Sequence, residues 1–189
     1  MSWYTTAKKA PPKDYGWVSV PLPKDISKQT VAYANKIPEY KLFIKKEKMG
    51  EIVHGDGWKY GIEDDPHITV KWGIETKSIS KVKEALDDLS GGDVTFGVID
   101  FFSSDDEYDV VKINITSPAL RKINKALSDG LATKDSFSIY RPHVTLAYVK
   151  KGIGKEYKSR KTFDGVSFSF DKVVFEDSVD KKTTITLEK

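Results

Sequence analysis

Two short stretches of the sequence share the order proline, histidine, β-branched residue, threonine, aliphatic residue. They are Pro-His-Ile-Thr-Val at 66–70 and Pro-His-Val-Thr-Leu at 142–146. An imidazole has an ordinary pKa of about 6.5, so near neutrality one histidine can accept a proton while another donates one. The two matched copies contain two of the chain's three histidines. They therefore predict acid–base catalysis by His67 and His143.

Each stretch has the composition of a β-strand, in which side chains alternate between the two faces. That alternation places His67 and Thr69 on one face of the first strand, and His143 and Thr145 on one face of the second. If the strands lie close together, two imidazoles and two hydroxyls line a shared cleft. The aliphatic residues between them then face the core.

These four side chains have the properties that phosphoryl transfer requires. A neutral imidazole can deprotonate a water or a ribose 2′-hydroxyl, and an imidazolium can protonate the leaving oxygen. The hydroxyls of Thr69 and Thr145 can donate hydrogen bonds to the non-bridging phosphate oxygens, so we expect both threonines to be catalytic. Such a site requires no metal or other cofactor. The sequence does not distinguish the base from the acid.

Residues near the two motifs are candidates for substrate binding. By the same alternation Lys71 falls on the face of the first histidine, where it is expected to add positive charge. Tyr15 and Tyr140 precede strands and are predicted to reach the cleft, where a base can stack on an aromatic ring. Trp72 and Tyr148 fall on the opposite faces and are predicted to pack inside the protein.

The composition excludes several other kinds of site. The chain has no cysteine, which excludes disulfides, thiolate nucleophiles and cysteine-rich zinc sites. His54 matches neither motif and is predicted to lie in a loop, and no cluster of histidines and carboxylates has the spacing of a metal site. The net charge of +3 is weak for a protein that wraps a duplex, but it permits a local site for a small anion.

The length of 189 residues fits a single domain. Residues 1–14 are polar, contain adjacent prolines and are predicted to form a flexible N-terminal segment, followed by one domain over 15–189. No apolar run approaches the roughly 20 residues of a membrane span, and the N-terminus lacks the apolar core of a signal peptide. We therefore expect a cytoplasmic protein that does not associate with a membrane and needs no obligate protein partner.

The hydrophobic pattern predicts a mixture of strands and helices. Helices are expected from Ser27 to the residue before Pro38, over 80–89, and from Ser117 to Gly130. A long loop is expected over 45–65. The strands are expected at 16–22, 40–44, 66–74, 143–149, 163–175 and 183–187, with a hairpin formed by 94–102 and 108–115. This order lacks regular βαβ repetition and favours an α+β domain with antiparallel sheets.

Three stretches resemble a known family. Tyr60–Gly73 and Tyr140–Ala147 resemble the two motif regions of the two-histidine (2H) phosphoesterase superfamily, which includes the 2′-5′ RNA ligases and cyclic phosphodiesterases. Gly16–Pro23 is similar to the first strand of that family. The likeness extends over about residues 15–189 and is specific at the two motifs. It is closest to phage-encoded members, including anti-CBASS nucleases that degrade the cyclic oligonucleotide signals of bacterial immunity.

The resemblance implies a bilobal α+β fold, with two pseudo-symmetric halves and antiparallel sheets around a central cleft. It implies metal-independent cleavage of a nucleotide phosphodiester, which would be a cyclic oligonucleotide, a 2′,3′-cyclic phosphate or a 2′-5′ linkage. A phage-encoded member would act against host defence, in the host cytoplasm. The alternatives are a cyclic phosphodiesterase that processes RNA ends, and a non-catalytic module that binds a nucleotide or RNA in the same cleft.

Overall fold

The computed structural model describes residues 15–43, 58–59, 61–104, 107–134 and 139–188. The predicted N-terminal segment 1–14, His54 and most of the predicted loop lie outside the described residues. Within the described part, the strands are β1 (Gly16–Pro21), β2 (Trp58–Lys59), β3 (Ile62–Glu63), β4 (His67–Ile74), β5 (Gly92–Ser104), β6 (Tyr108–Thr116), β7 (His143–Lys150), β8 (Ser167–Phe170), β9 (Lys172–Glu176) and β10 (Lys182–Thr186). The α-helices are α1 (Lys24–Ala34), α2 (Ile79–Ala85) and α3 (Pro118–Gly130).

The strands form one antiparallel sheet in the order β10-β9-β1-β4-β7-β6-β5-β8, and β3 joins β2 to β7 beside this path. The two strands that carry the histidine motifs, β4 and β7, are neighbours at the centre. Each has three further strands on its outer side, so the sheet divides into two halves of four strands around the β4–β7 contact. The predicted α+β class with two related antiparallel halves is confirmed.

The main hydrophobic core lies on one face of the sheet, against the helices. It contains alternate residues of the central strands, such as Val18, Ile68 and Val144, and these three side chains are fully buried. Helix α3 adds Leu120, Ile123 and Leu127 to the same cluster. Because alternate strand residues point to opposite faces, the histidines that flank Ile68 and Val144 point away from this core.

Helix α3 begins and ends as its sequence predicts. The hydroxyl oxygen of Ser117 accepts a hydrogen bond from the Leu120 amide at 3.3 Å, and Pro118 occupies the first turn. Such a cap satisfies one of the amides that have no partner inside the helix. The hairpin β5–β6 is likewise confirmed, with slightly longer strands than predicted.

Several predicted boundaries are wrong. Helix α1 begins at Lys24 rather than Ser27, because the Ser27 amide already donates to the carbonyl of Pro23 at 2.8 Å. The predicted strand 40–44 is instead a 3₁₀ turn, Glu39–Lys41, followed by a single bridge at Leu42. Helix α2 ends at Ala85 rather than near 89. The predicted strand 163–175 is two strands, β8 and β9, which lie in different parts of the sheet.

Candidate active site

The two motif strands meet at one residue pair, Ile68 opposite Val144. Extending this antiparallel register by one residue in each direction places His67 across from Thr145, and Thr69 across from His143. All four side chains share the face opposite the core. The structure thus brings together the four residues that the sequence predicted to be catalytic.

The two histidines are oriented in the same way. His67 Nδ1 lies 2.8 Å from the backbone oxygen of Asp65, and His143 Nδ1 lies 2.9 Å from that of Arg141. A carbonyl oxygen only accepts, so each Nδ1 carries the proton and donates it. In each neutral ring Nε2 is then the acceptor nitrogen. Each motif therefore presents a nitrogen that can take up or deliver a proton.

An aromatic ring packs edge-on against each imidazole. The ring of Trp17, on β1, lies 4.7 Å from that of His67, with the planes at 73°. The ring of Phe102, on β5, lies 5.7 Å from that of His143, with the planes at 75°. Such contacts restrict rotation of the imidazoles. The histidine and the threonine of each motif are half-buried.

An irregularity in strand pairing follows each threonine. Ser19 pairs with Thr69 and Val18 pairs with Lys71, which leaves Val70 without a partner on β1. The other half has the same irregularity at Leu146. Thr145 pairs with Lys112 and Ala147 pairs with Val111, which leaves Leu146 without a partner on β6. Both unpaired residues occupy the last position of the Pro-His-x-Thr-aliphatic motif. An extra residue of this kind reverses the face alternation of everything after it.

This reversal corrects the predicted faces of Trp72 and Tyr148. Trp72 pairs with Trp17, the residue that contacts His67, so it lies on the histidine face and is 49% exposed. Tyr148 pairs with Val110 on the histidine face of β6, where it is buried in a small cluster separate from the main core. The predicted placement of both residues on the opposite faces is therefore wrong.

The predicted place of Lys71 is also wrong. Its partner across the strand is Val18, a residue of the main core, and Lys71 itself is 5% exposed. The pairing puts it on the core-facing side rather than beside His67. Strict alternation along the sequence predicts the histidine face for Lys71, because it does not take the extra residue at Val70 into account.

The two predicted tyrosines lie near the site in different ways. The hydroxyl of Tyr140 donates to the backbone oxygen of Thr69 at 3.0 Å, and burial raises the pKa of this hydroxyl well above its ordinary value. Tyr15 contacts Trp72, with ring centroids 5.8 Å apart, and the Lys134 ammonium lies 5.3 Å from the Tyr15 ring. Tyr140 thus joins the two motif segments, and Tyr15 belongs to the aromatic group on the β1 side.

Side chains also satisfy the backbone where β4 leaves β7. Beyond the pair Ile68–Val144, the carbonyl of Thr69 is bonded to Tyr140, and the carbonyl of Val70 accepts from Asn124 Nδ2 of α3 at 2.7 Å. These two donors replace the neighbouring strand as partners. They therefore support the backbone of the first motif where β4 and β7 are no longer paired.

Strand β6 brings two site residues that the motifs do not predict. Lys112 pairs with Thr145, and Asn114 pairs with His143, so both lie on the histidine face. The available signal is the alternation of polar Lys112 and Asn114 with apolar Val111, Ile113 and Ile115. Such a strand has one face in the core and the other in a polar environment. Without the sheet order, however, nothing places that polar face beside His143.

The surroundings of His143 favour its neutral form. Burial lowers the pKa of His143, the hydrogen bond to the Arg141 carbonyl raises it, and the positive charge of Lys112 lowers it; the net direction is downward. A neutral imidazole with Nδ1 protonated has Nε2 free of a proton, which is the state of a general base.

The residues that the structure describes contain no group of three or more histidine and carboxylate side chains that could hold a metal ion. None of the helices within those residues is long and apolar enough to cross a bilayer.

No protein-family model matches the sequence, and no curated protein matches it significantly. Solved structures do share its fold. The protein TT0787 of Thermus thermophilus superimposes with a TM-score of 0.59 at 13% identity, covering 92% of this chain and 95% of that one. Kluyveromyces marxianus Usb1 gives a TM-score of 0.55 at 9% identity, covering 93% and 99%. Escherichia coli LigT, complexed with 3′-AMP, gives 0.53 at 13% identity, covering 93% and 95%. The chain therefore has the α+β fold of these proteins, which is the fold of the two-histidine phosphoesterases.

Proposed function

We propose that this protein is a metal-independent phosphodiesterase of the two-histidine type, which cleaves a nucleotide phosphodiester with His67 and His143 as its acid–base pair. The observation that carries the proposal is the matched orientation of the two imidazoles. Each donates Nδ1–H to the carbonyl two residues earlier, on adjacent strands whose threonines share the same face. A nucleotide as ligand fits the LigT structure, which holds 3′-AMP.

In the proposed reaction His143 is the base, because burial and a neighbouring cation lower its pKa and favour the neutral ring. Its Nε2 removes a proton from the attacking oxygen as that oxygen bonds to phosphorus. His67, protonated on both nitrogens, delivers its Nε2 proton to the leaving oxygen as the P–O bond breaks. Thr69 and Thr145 donate hydrogen bonds to the non-bridging oxygens, whose charge the transition state redistributes.

The same groups serve two substrates. With a 2′,3′-cyclic phosphate the attacking oxygen is water, and the product is a phosphomonoester. With an oligonucleotide joined by 3′-5′ linkages, linear or cyclic, the attacking oxygen is the 2′-hydroxyl beside the scissile phosphate, and the products are a 2′,3′-cyclic phosphate and a free 5′-hydroxyl. Degradation of a cyclic oligonucleotide immune signal, the role implied by resemblance to phage members, belongs to the second case.

The test is an activity panel in EDTA. Purified protein is incubated with 2′,3′-cyclic mononucleotides, 2′-5′ oligoadenylates, RNA ends and cyclic di- and trinucleotides, and the products are identified by mass spectrometry. We expect turnover of at least one class, a loss of about 10²-fold or more in His67→Ala and in His143→Ala, and no comparable loss in the control His54→Ala. Absence of turnover with intact nucleotide binding would favour the binding module, and turnover that EDTA abolishes would contradict the metal-free reaction.

A further inference from the structure

The two halves of the site differ in the strands that flank the motifs. On one side, β1 places Ser19 across from Thr69 and Pro21 across from His67. The corresponding positions on β6 carry a lysine and an amide, Lys112 across from Thr145 and Asn114 across from His143. The backbone arrangement is thus nearly symmetric, whereas the charge is not.

Lys112 is a half-buried cation that forms no ion pair with any of the described residues. Its ammonium donates to Oδ1 of Asn114, a neutral acceptor. Asp100 faces it from β5 and Arg141 from the segment before β7. In the described part of the chain, no carboxylate comes within ion-pair distance of Lys112. Burial is the largest influence on the pKa of Lys112 and lowers it.

Removing a charge from water without a counter-charge costs free energy, so such a group is expected to have an anionic partner in some state of the protein. Asp100, directly across from Lys112 on β5, adds a negative charge that raises the pKa of Lys112 but forms no ion pair with it. Directly opposite positions on paired strands have Cβ atoms about 5 Å apart. The flexible lysine stem can therefore reach an anion that is also hydrogen-bonded to Thr145.

We propose that Lys112 is the phosphate-binding cation of this site, which holds a non-bridging oxygen of the scissile phosphodiester beside Thr145 while Asn114 fixes its ammonium. The inference rests on the proposed function for the identity of the anion. The two halves then have different tasks. The β6 side binds the phosphate charge and adds a positive charge beside His143, and the β1 side, which has Ser19 and Pro21 instead, carries the acid His67.

The test measures binding of inorganic phosphate, which needs no turnover. The side-chain NMR signals of the three histidines are followed during a phosphate titration of the full chain, and separately during a pH titration without phosphate. The variants are Lys112→Met, Lys112→Arg and, as the charge-matched control, Lys125→Met. Lys125 lies on the outer face of α3 and is 76% exposed.

We expect Lys112→Met to weaken phosphate binding about tenfold or more, as for loss of a hydrogen bond to a charged group, and Lys112→Arg to restore most of it. The pH titration of His143 should move upward by about half a unit or more in Lys112→Met, with a smaller change at His67. Lys125→Met should leave both readings unchanged. Circular dichroism spectra that match the wild type confirm that each variant is folded.

Equal phosphate affinities in the wild type and Lys112→Met, or an unchanged titration of His143, would overturn the proposal. So would a wild type that does not bind phosphate. These outcomes are separate from the fate of the proposed function. If Lys112→Met weakens phosphate binding and shifts the titration of His143, but the protein cleaves no phosphodiester, the phosphate site is supported and the proposed activity is contradicted. If phosphodiesters are cleaved equally well without Lys112, the activity stands and this assignment fails.

Discussion

The hydroxyl of Tyr140 donates a 3.0 Å hydrogen bond to the backbone oxygen of Thr69, 71 positions earlier in the chain. This hydrogen bond connects two parts of the site. Tyr140 lies just before the second histidine motif, and Thr69 lies within the first motif. Because burial raises the pKa of this hydroxyl, it remains a donor throughout the pH range in which an imidazole titrates. The two motifs are therefore held together at this point by a single side chain.

Tyr140→Phe should consequently reduce both stability and turnover. Loss of the donor leaves the Thr69 carbonyl without this partner, which costs about 1–2 kcal/mol of unfolding free energy. We expect kcat to fall more than KM rises, since the ring remains while the position of Thr69 relaxes. Denaturant titration and steady-state kinetics measure the two effects. The matched control is Tyr40→Phe, at a tyrosine that is 71% exposed, and an equal loss in both variants would contradict the positioning role.

The stability of the protein should depend on the protonation of His143. Its pKa is lower in the folded protein than the ordinary value of about 6.5. Between the two pKa values the unfolded chain binds more protons, so the unfolding free energy decreases as the pH falls from about 6.5 towards the folded pKa. Above about pH 6.5 the protonation of His143 should no longer affect the unfolding free energy.

His143→Gln should remove this part of the pH dependence. Urea titrations at several values between about pH 4.5 and 7.5, on the wild type and the variant, make the comparison. We expect the difference in unfolding free energy between the wild type and the variant to change with pH in the acidic half of that range. Parallel curves would show that His143 has the same pKa in the folded and unfolded states.

Trp72 should contribute to recognition of a nucleoside rather than to the chemical step. It lies on the histidine face, pairs with Trp17 and is 49% exposed. Stacking of a base on an aromatic side chain contributes about 1–3 kcal/mol, so Trp72→Ala should raise KM for a nucleotide substrate about tenfold or more and change kcat little. Ribose 2′,3′-cyclic phosphate, which has no base, provides the control. A similar effect of Trp72→Ala on both substrates would exclude stacking.

The part of the site that the sequence predicts is local in origin. His67 and Thr69 share a face because they are two residues apart on a strand, and the same applies to His143 and Thr145. The N-terminal cap of α3 is equally local, since Ser117 and Pro118 specify the start of a helix through their own side-chain and backbone preferences.

The part that the sequence does not predict depends on strand pairing. The faces of Lys71, Trp72 and Tyr148 follow from irregularities after each threonine, which arise in the pairing with β1 and β6. Nothing in Val70 or Leu146 alone distinguishes an extra residue from an ordinary strand position. Likewise, the approach of Lys112 to Thr145 depends on which strand lies next to β7, a choice made by the whole sheet.

The pH dependence of kcat/KM in EDTA distinguishes His143 as the base and His67 as the acid from any other assignment of the two roles. For a substrate that the activity panel identifies, the wild type should give a bell-shaped profile, with an acidic limb below about pH 6.5 because the pKa of His143 is lowered from that ordinary value. The residual activity of His143→Ala should lose the acidic limb, and that of His67→Ala should lose the basic limb. If either variant kept both limbs, or if the limbs were lost in the opposite order, the assignment of base and acid would be contradicted.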